Sequence, residues 1–233
     1  MIRLLIPVLL AAAFAWAMMR FSLWQTRRKL EAEAVPLRDP ALEAQAARLA
    51  RALGLERVEV RILPTEVVNG LADADGRIYL TRGFLTRRAR GEVTDEELAS
   101  VIAHELGHVA QGHMKRRMID VTGQNTVLMA VSGLLHRVLP YAGPWLARHA
   151  LSALMAGLSR RDEFEADAWA SALLIKAGIG TAPQKALFQK LDRLSGNAGA
   201  DIPAWLRSHP TAADRIAAIE RNEARWLGAP KAD

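Results

Sequence analysis

The chain opens on an uncharged apolar run over residues 4–19, LLIPVLLAAAFAWAMM, which resumes after Arg20 with Phe21 and Trp24. Read as one helix, residues 4–24 reach about 31 Å at about 1.5 Å per residue, enough to cross a bilayer with Arg20 snorkelling. A cleaved signal peptide is the competing reading: Arg3 makes a short basic start, and Ala13-x-Ala15 or Ala15-x-Ala17 offers a processing site. The apolar resumption past Arg20 favours a retained anchor over residues 1–30. Beyond it, 36–40 carries a proline at each end and reads as a linker. Residues 41–53 have helical apolar spacing and stop at Gly54, a C-cap. Residues 58–63 (VEVRIL) alternate as a strand does. Asn69-Gly70 and Asp75-Gly76 mark turns, and 77–81 (RIYLT) forms a second strand.

The pattern then becomes helical. Thr94 followed by Glu97 makes a capping box, with Asp95 and Glu96 in the first turn where the helix dipole favours acids. The chain runs without proline from there to about Asp120, and Leu98, Val101, Ile102, Leu106 and Val109 share an apolar face. A further apolar stretch, 127–158, is broken by His136, Arg137, Pro140, Pro144 and Arg148. Neither half reaches 18 clean residues, so the pattern predicts two buried or membrane-skimming helices rather than spans. The expected architecture is mainly α with a small β-sheet: one domain over 31–233 behind the N-terminal segment.

Composition narrows the chemistry. The 233 residues are 51% hydrophobic and 24% charged, enough apolar content for a packed core. The absence of cysteine removes disulfides, a thiolate nucleophile and thiolate metal ligands, which leaves His and carboxylates for any metal. The net charge of +6 is spread over short clusters, Arg27-Arg28-Lys29, Arg87-Arg88-x-Arg90 and Lys115-Arg116-Arg117. With 2 Tyr and 5 Phe and no recognisable nucleic-acid motif, these read as solvated faces with some attraction to anionic lipid, not as a nucleic-acid surface. Arg20, Arg27, Arg28 and Lys29 outweigh Arg3 and the amino terminus. The charge rule thus weakly favours a cytoplasmic catalytic domain, while a signal peptide would make it periplasmic.

The long helix carries HELGH at 104–108. Residues four apart share a helix face, so His104 and His108 can offer two imidazole nitrogens to one ion, and Glu105 sits where it can take a proton from a water beside that ion. A catalytic zinc site needs a third protein ligand and an open position. Position 114, where a third histidine of the metzincin spacing would fall, is Met, and His113 is one residue out of register, roughly 100° round a continued helix. A carboxylate from a later helix is the alternative, and SRRDEFEADAWA at 159–170 supplies it. Glu163 and Asp167 share a face, so Glu163 can ligate while Asp167 takes a hydrogen bond from the second nitrogen of a ligating histidine. On that helix Glu165 points elsewhere and Asp162 is off the face.

With these motifs the chain resembles gluzincin metallopeptidase family 48, which includes the bacterial HtpX-like proteases and the eukaryotic CAAX-prenyl endopeptidases. The resemblance covers roughly residues 41–225 and rests on VIAHELGHVAQGH, SRRDEFEAD, DGRIYLTRGFL and RSHP. It implies a zincin-like fold with one Zn2+ held by His104, His108 and Glu163, the base at Glu105 and the supporting acid at Asp167. It also implies a place near the metal for His209, steadying the oxyanion or capping the resting ion, with Arg215 anchoring that segment by ion pairing. The segment 69–85 matches the family's edge strand beside the cleft, so Asn69, Ile78 and Tyr79 would bind a peptide added as an extra strand. Family members of the HtpX type carry several membrane spans and the prenyl endopeptidases more. One span here argues against prenyl-protein processing and resembles the compact bacterial members.

The expected function is therefore a zinc endopeptidase, single-pass in a bacterial inner membrane, cutting polypeptides. The substrate class, unfolded or damaged proteins near that membrane, comes from the resemblance. Two other classes compete: a membrane-tethered chaperone or assembly factor with a metal site, against which a retained Glu105 argues, and an aminopeptidase.

Overall fold

The structure is a computed structural model that describes residues 2–73, 75–113, 143–197 and 212–227. It forms two compact units, Met1–Glu33 with Met114–Gly157, and Ala34–His113 with Leu158–Asp233. In the first, α1 spans Ile2–Glu33. It presents Phe14, Trp16, Met18, Phe21 and Trp24 at its surface. The Arg28 guanidinium lies 4.9 Å from the Trp24 ring centre, and Arg27 pairs with Glu31 one turn on. Among the described residues, no helix is long and apolar enough to cross a membrane.

The second unit begins with β1 (Val35–Pro36) and α2 (Pro40–Leu53), followed by β2 (Val60–Leu63), β3 (Gly70–Ala72), β4 (Ile78–Thr81) and α3 (Arg82–Ala89). Next come α4 (Asp95–Ala110), the part of α5 (Gly143–Lys176) from residue 158 onward, α6 (Ala182–Asn197) and α7 (Ala212–Leu227). The fold is mainly helical with one small sheet. Its strand order is β1-β2-β4-β3, with β2 and β4 parallel and both outer pairs antiparallel. The sheet, α2, α4 and the later helices close on one core that includes Leu42, Leu49, Ile78, Leu80, Phe84, Leu98, Ile102, Leu174, Phe188 and Ile219.

Local chemistry explains where the elements start. Asp39 caps α2 by accepting the Ala41 and Leu42 N–H groups, and Gly54 ends that helix at φ 70°, a left-handed conformation that costs glycine little. On α4, Thr94 Oγ1 accepts the Glu97 N–H at 3.2 Å while Glu97 Oε2 accepts the Thr94 N–H at 2.9 Å. Lys190 of α6 neutralises the same carboxylate at 2.8 Å, so the cap also ties two helices together.

Several sequence expectations shift. The segment expected as a linker from Pro36 contributes the short strand β1, where proline is tolerated because β1 is at the sheet edge. Asn69-Gly70 is no turn: Gly70 opens β3, and the reversal between β3 and β4 is made by buried Asp73, whose Oδ1 accepts the N–H groups of Asp75 and Arg77. The helix expected to run to about Asp120 ends at Ala110, and Gly112 follows at φ 67°. Of the apolar stretch 127–158, residues 127–142 lie outside the described ones. From Gly143 the chain is one helix through the acidic segment to Lys176, so 159–170 is helix interior.

Candidate metal centre

Helix α4 supplies the first two groups. His104 and His108 stand one turn apart with rings edge to face at 4.7 Å and 89°. Their Nε2 atoms converge to 3.1 Å. Glu163, on α5 and fully buried, closes the triangle: Oε2 lies 3.4 Å from His104 Nε2 and Oε1 3.4 Å from His108 Nε2. A tetrahedral ion with bonds of about 2.0–2.1 Å separates its ligands by about 3.3 Å. The two imidazole nitrogens, each facing one oxygen of the Glu163 carboxylate, already hold that spacing, and a two-imidazole, one-carboxylate set suits zinc. These residues fit the ion.

The close approach of α5 to α4 depends on Gly107, the fourth residue of HELGH. A methyl group there would lie 2.8 Å from the Ala166 carbonyl oxygen and 3.1 Å from its Cα. Without a side chain at 107 the two backbones meet, which puts Glu163 within reach of both imidazoles.

Behind His104 the polar groups are tightly matched. Its Nδ1–H donates to Asp167 Oδ1 at 2.9 Å. Arg215 of α7 grips the same carboxylate with both arms, Nε to Oδ2 and Nη2 to Oδ1 at 2.6 Å each, and lies over the Phe188 ring at 4.1 Å. Burial opposes charge on His104, but the carboxylates of Asp167 and Glu163 outweigh it and push its pKa up to about 9. Burial likewise opposes charge on Asp167, but Arg215 and His104 pull its pKa down to about 2. Gln184 of α6 adds a long contact to Asp167 and accepts from Ser171 at 2.8 Å, which joins a fourth helix to this arrangement.

Glu105 is 5% exposed and lies beside the sheet: a methyl group at Gly70 would sit 2.7 Å from Val101 Cγ1 and 3.5 Å from Glu105 Oε1. The end of β3 therefore packs directly against the helix that carries Glu105. The same geometry corrects the expected substrate strand. Ile78 and Tyr79 belong to β4, are fully buried, and are paired on both sides, with Val60 and Arg61 of β2 and with Ala72 and Leu71 of β3. A strand with both edges filled cannot accept another; among the described residues the edge on this side of the sheet belongs to β3. Asn69 precedes that edge, its backbone held by Thr81 through N–H to Oγ1 at 2.9 Å.

His209 lies outside the described residues. His113 is 1% exposed and meets His108, although its register on a continued helix turns it away from the ligand face. The helix does not continue; the left-handed Gly112 instead turns the chain back. His113 also brings Asp162 and Glu165, both set aside from the sequence, into a second group whose ligand atoms lie within 4.8 Å of one another. The only sequence signal for it is the spacing of His113 from HELGH.

The model of peptidase family M48 matches residues 36–223. Metalloprotease LoiP of Escherichia coli K12 is 31% identical over 158 residues, covering 68% of this chain and 60% of that protein. Metalloprotease YcaL of the same organism is 30% identical over 176 residues, 72% of this chain and 65% of its own length. Beta-barrel assembly-enhancing protease of Escherichia coli O157:H7 is 28% identical over 176 residues, 71% of this chain and 34% of that protein. The chain thus spans between a third and two thirds of the length of these relatives. With the family match covering both helices of the His-His-Glu triangle, the chain belongs to peptidase family M48, a family of metalloproteases.

Proposed function

We propose that this chain is a zinc-dependent endopeptidase with a zincin-like catalytic domain over 31–233, in which His104, His108 and Glu163 hold one ion and Glu105 is the general base. The observation that carries the reading is the convergence of His104 Nε2 and His108 Nε2, 3.1 Å apart, each 3.4 Å from one oxygen of Glu163, on two helices that meet at Gly107. Zinc bound there would polarise a peptide carbonyl and lower the pKa of water. Glu105, one residue past His104, takes the proton of the attacking water and returns it to the leaving amine. Asp167, held by Arg215, keeps His104 in the tautomer that directs Nε2 to the ion. The outer edge of β3 beside Glu105, unpaired among the described residues, suits a polypeptide bound as an added strand through its backbone, which selects extended or unfolded chains over folded ones. His209 enters as an oxyanion donor through the resemblance alone.

Membrane attachment through α1 belongs to the same proposal. Its support is the exposed apolar and aromatic surface from Phe14 to Trp24, followed by Arg27, Arg28 and Lys29, a combination suited to acyl chains and anionic head groups. The bacterial inner membrane and a cytoplasmic catalytic side follow the resemblance and the charge balance. Unfolded proteins near that membrane are the proposed substrates.

The test is zinc content measured together with casein cleavage for the wild type, Glu105→Gln and Glu163→Ala. Glu105→Gln should keep its zinc and lose about 10²–10⁴-fold in cleavage rate; Glu163→Ala should lose both. Substrate binding without cleavage by either wild type or Glu105→Gln would instead indicate a chaperone, and release of single residues from N-termini an aminopeptidase.

A further inference from the structure

His113 stands outside the set of ligands and base, yet it is among the most buried polar side chains of the unit, at 1% exposure. Its Nδ1 lies 2.8 Å from His108 Nδ1, with the rings 5.0 Å apart and tilted by 69°. On its far side, Nε2 lies 3.4 Å from Glu165 Oε2 and 3.7 Å from Asp162 Oδ1. The other oxygen of Glu165 accepts the Arg161 Nε–H at 2.8 Å. Both acids sit on α5 near Glu163, so one helix supplies the third ligand and the backing of this second histidine.

Proton accounting orders this chain of groups, given the zinc reading above. A neutral imidazole carries one N–H. If His108 gives Nε2 to the ion, its proton is on Nδ1 and must be donated. The atom 2.8 Å away is His113 Nδ1, which therefore has to be the acceptor. The proton of His113 is then on Nε2, directed at Glu165 and Asp162. A nitrogen that carries a proton cannot also ligate a metal, so a filled first site removes the His113, Asp162 and Glu165 group as a second one.

We propose that His113 is a positioning residue for the metal centre: it accepts the Nδ1–H of His108, is held in that tautomer by Glu165 and Asp162, and so fixes the lone pair of His108 Nε2 on the ion. The two metal-binding imidazoles are thereby anchored differently. His104 is backed directly by an Arg-paired carboxylate, and His108 by a neutral imidazole with carboxylates one step further out.

The experiment uses the full chain loaded with one equivalent of zinc. Nitrogen-15 spectra of the imidazoles in the wild type should show His108 protonated on Nδ1 and His113 on Nε2. Competition with a chromophoric chelator should give His113→Leu a zinc affinity weaker by about 10–100-fold. His113→Asn, whose amide oxygen can accept the His108 N–H, should recover part of that loss. A proton on His113 Nδ1 in the zinc-loaded protein would overturn the proposal. So would unchanged zinc affinity in a folded His113→Leu, or a second tight zinc ion that this variant loses. Should His113→Leu not fold, the wild-type spectra decide alone. A wild type that holds no zinc overturns the zinc reading and this inference together, whereas a wild type that binds zinc as tightly as its His113 variants overturns only the inference.

Discussion

Arg215 is the largest fully buried side chain among the described residues, and its position decides what Asp167 can do. Both charges are 1% exposed, and two bonds of 2.6 Å with a planar guanidinium offset the cost of taking them out of water. Removing one partner strands the other. Arg215→Met should therefore lower stability by about 3–5 kcal/mol, measured by urea denaturation of the metal-free protein. In an Asp167→Asn background the same substitution should cost much less, because no buried carboxylate is left without its partner. Equal costs in the two backgrounds would show that Arg215 acts by packing on Phe188 alone. Asp167 was legible from its spacing to Glu163. Arg215 was singled out only through the resemblance, as an ion-pairing anchor of the segment that carries His209; that its partner is Asp167 was not legible, because the two lie 48 residues apart in the chain.

At the scale of elements, the metal centre is a crossing of two helices. Gly107→Ala places a methyl group 2.8 Å from a backbone oxygen of α5, and neither backbone can yield as a side chain would. The expected result is a loss of about 1–3 kcal/mol in stability together with weaker zinc binding, since Glu163 moves with α5. Zinc titration and thermal melting of the same variant measure both. The start of α2 makes a separate prediction about pH. Burial would raise the pKa of Asp39, but the Leu42 N–H, Arg88 and the Ala41 N–H outweigh it and hold the carboxyl below its ordinary value. A lowered folded-state pKa means that its stabilisation is fully present above the ordinary carboxylate pKa, about 4, and is lost as pH falls through the lower folded value. The urea midpoint of the wild type should then fall more steeply below about pH 4 than that of Asp39→Asn, which retains a capping oxygen but no charge. Parallel curves would assign no such linkage to Asp39.

At the scale of the whole molecule, the basic and aromatic surface of α1 predicts attachment to lipid. The full chain should float with vesicles containing anionic lipid, and a form lacking residues 1–30 should not. Replacing Arg27, Arg28 and Lys29 by glutamine should reduce the preference for anionic over neutral vesicles, at about 1 kcal/mol per charge near the surface. Flotation of the truncated form would place the attachment elsewhere in the chain.

The sequence alone determined what depends on neighbours close along the chain. The helical spacing of His104 and His108, the Thr94 capping box, the Gly54 cap and the alternation over 58–63 that becomes β2 are all governed by backbone periods of 3.6 and 2 and by hydrogen bonds spanning a few residues. Glu163 and Asp167 were also legible, as a pair on one helix face. Tertiary structure decided the rest. It gave the sheet edge to β3 and buried Ile78 and Tyr79, because strand order depends on which segments pair across many residues, and β3 is too short to announce itself. It also turned His113 inward, because a left-handed Gly112 ended the helix before the periodic pattern did, and one residue of backbone geometry redirected the side chain that follows it.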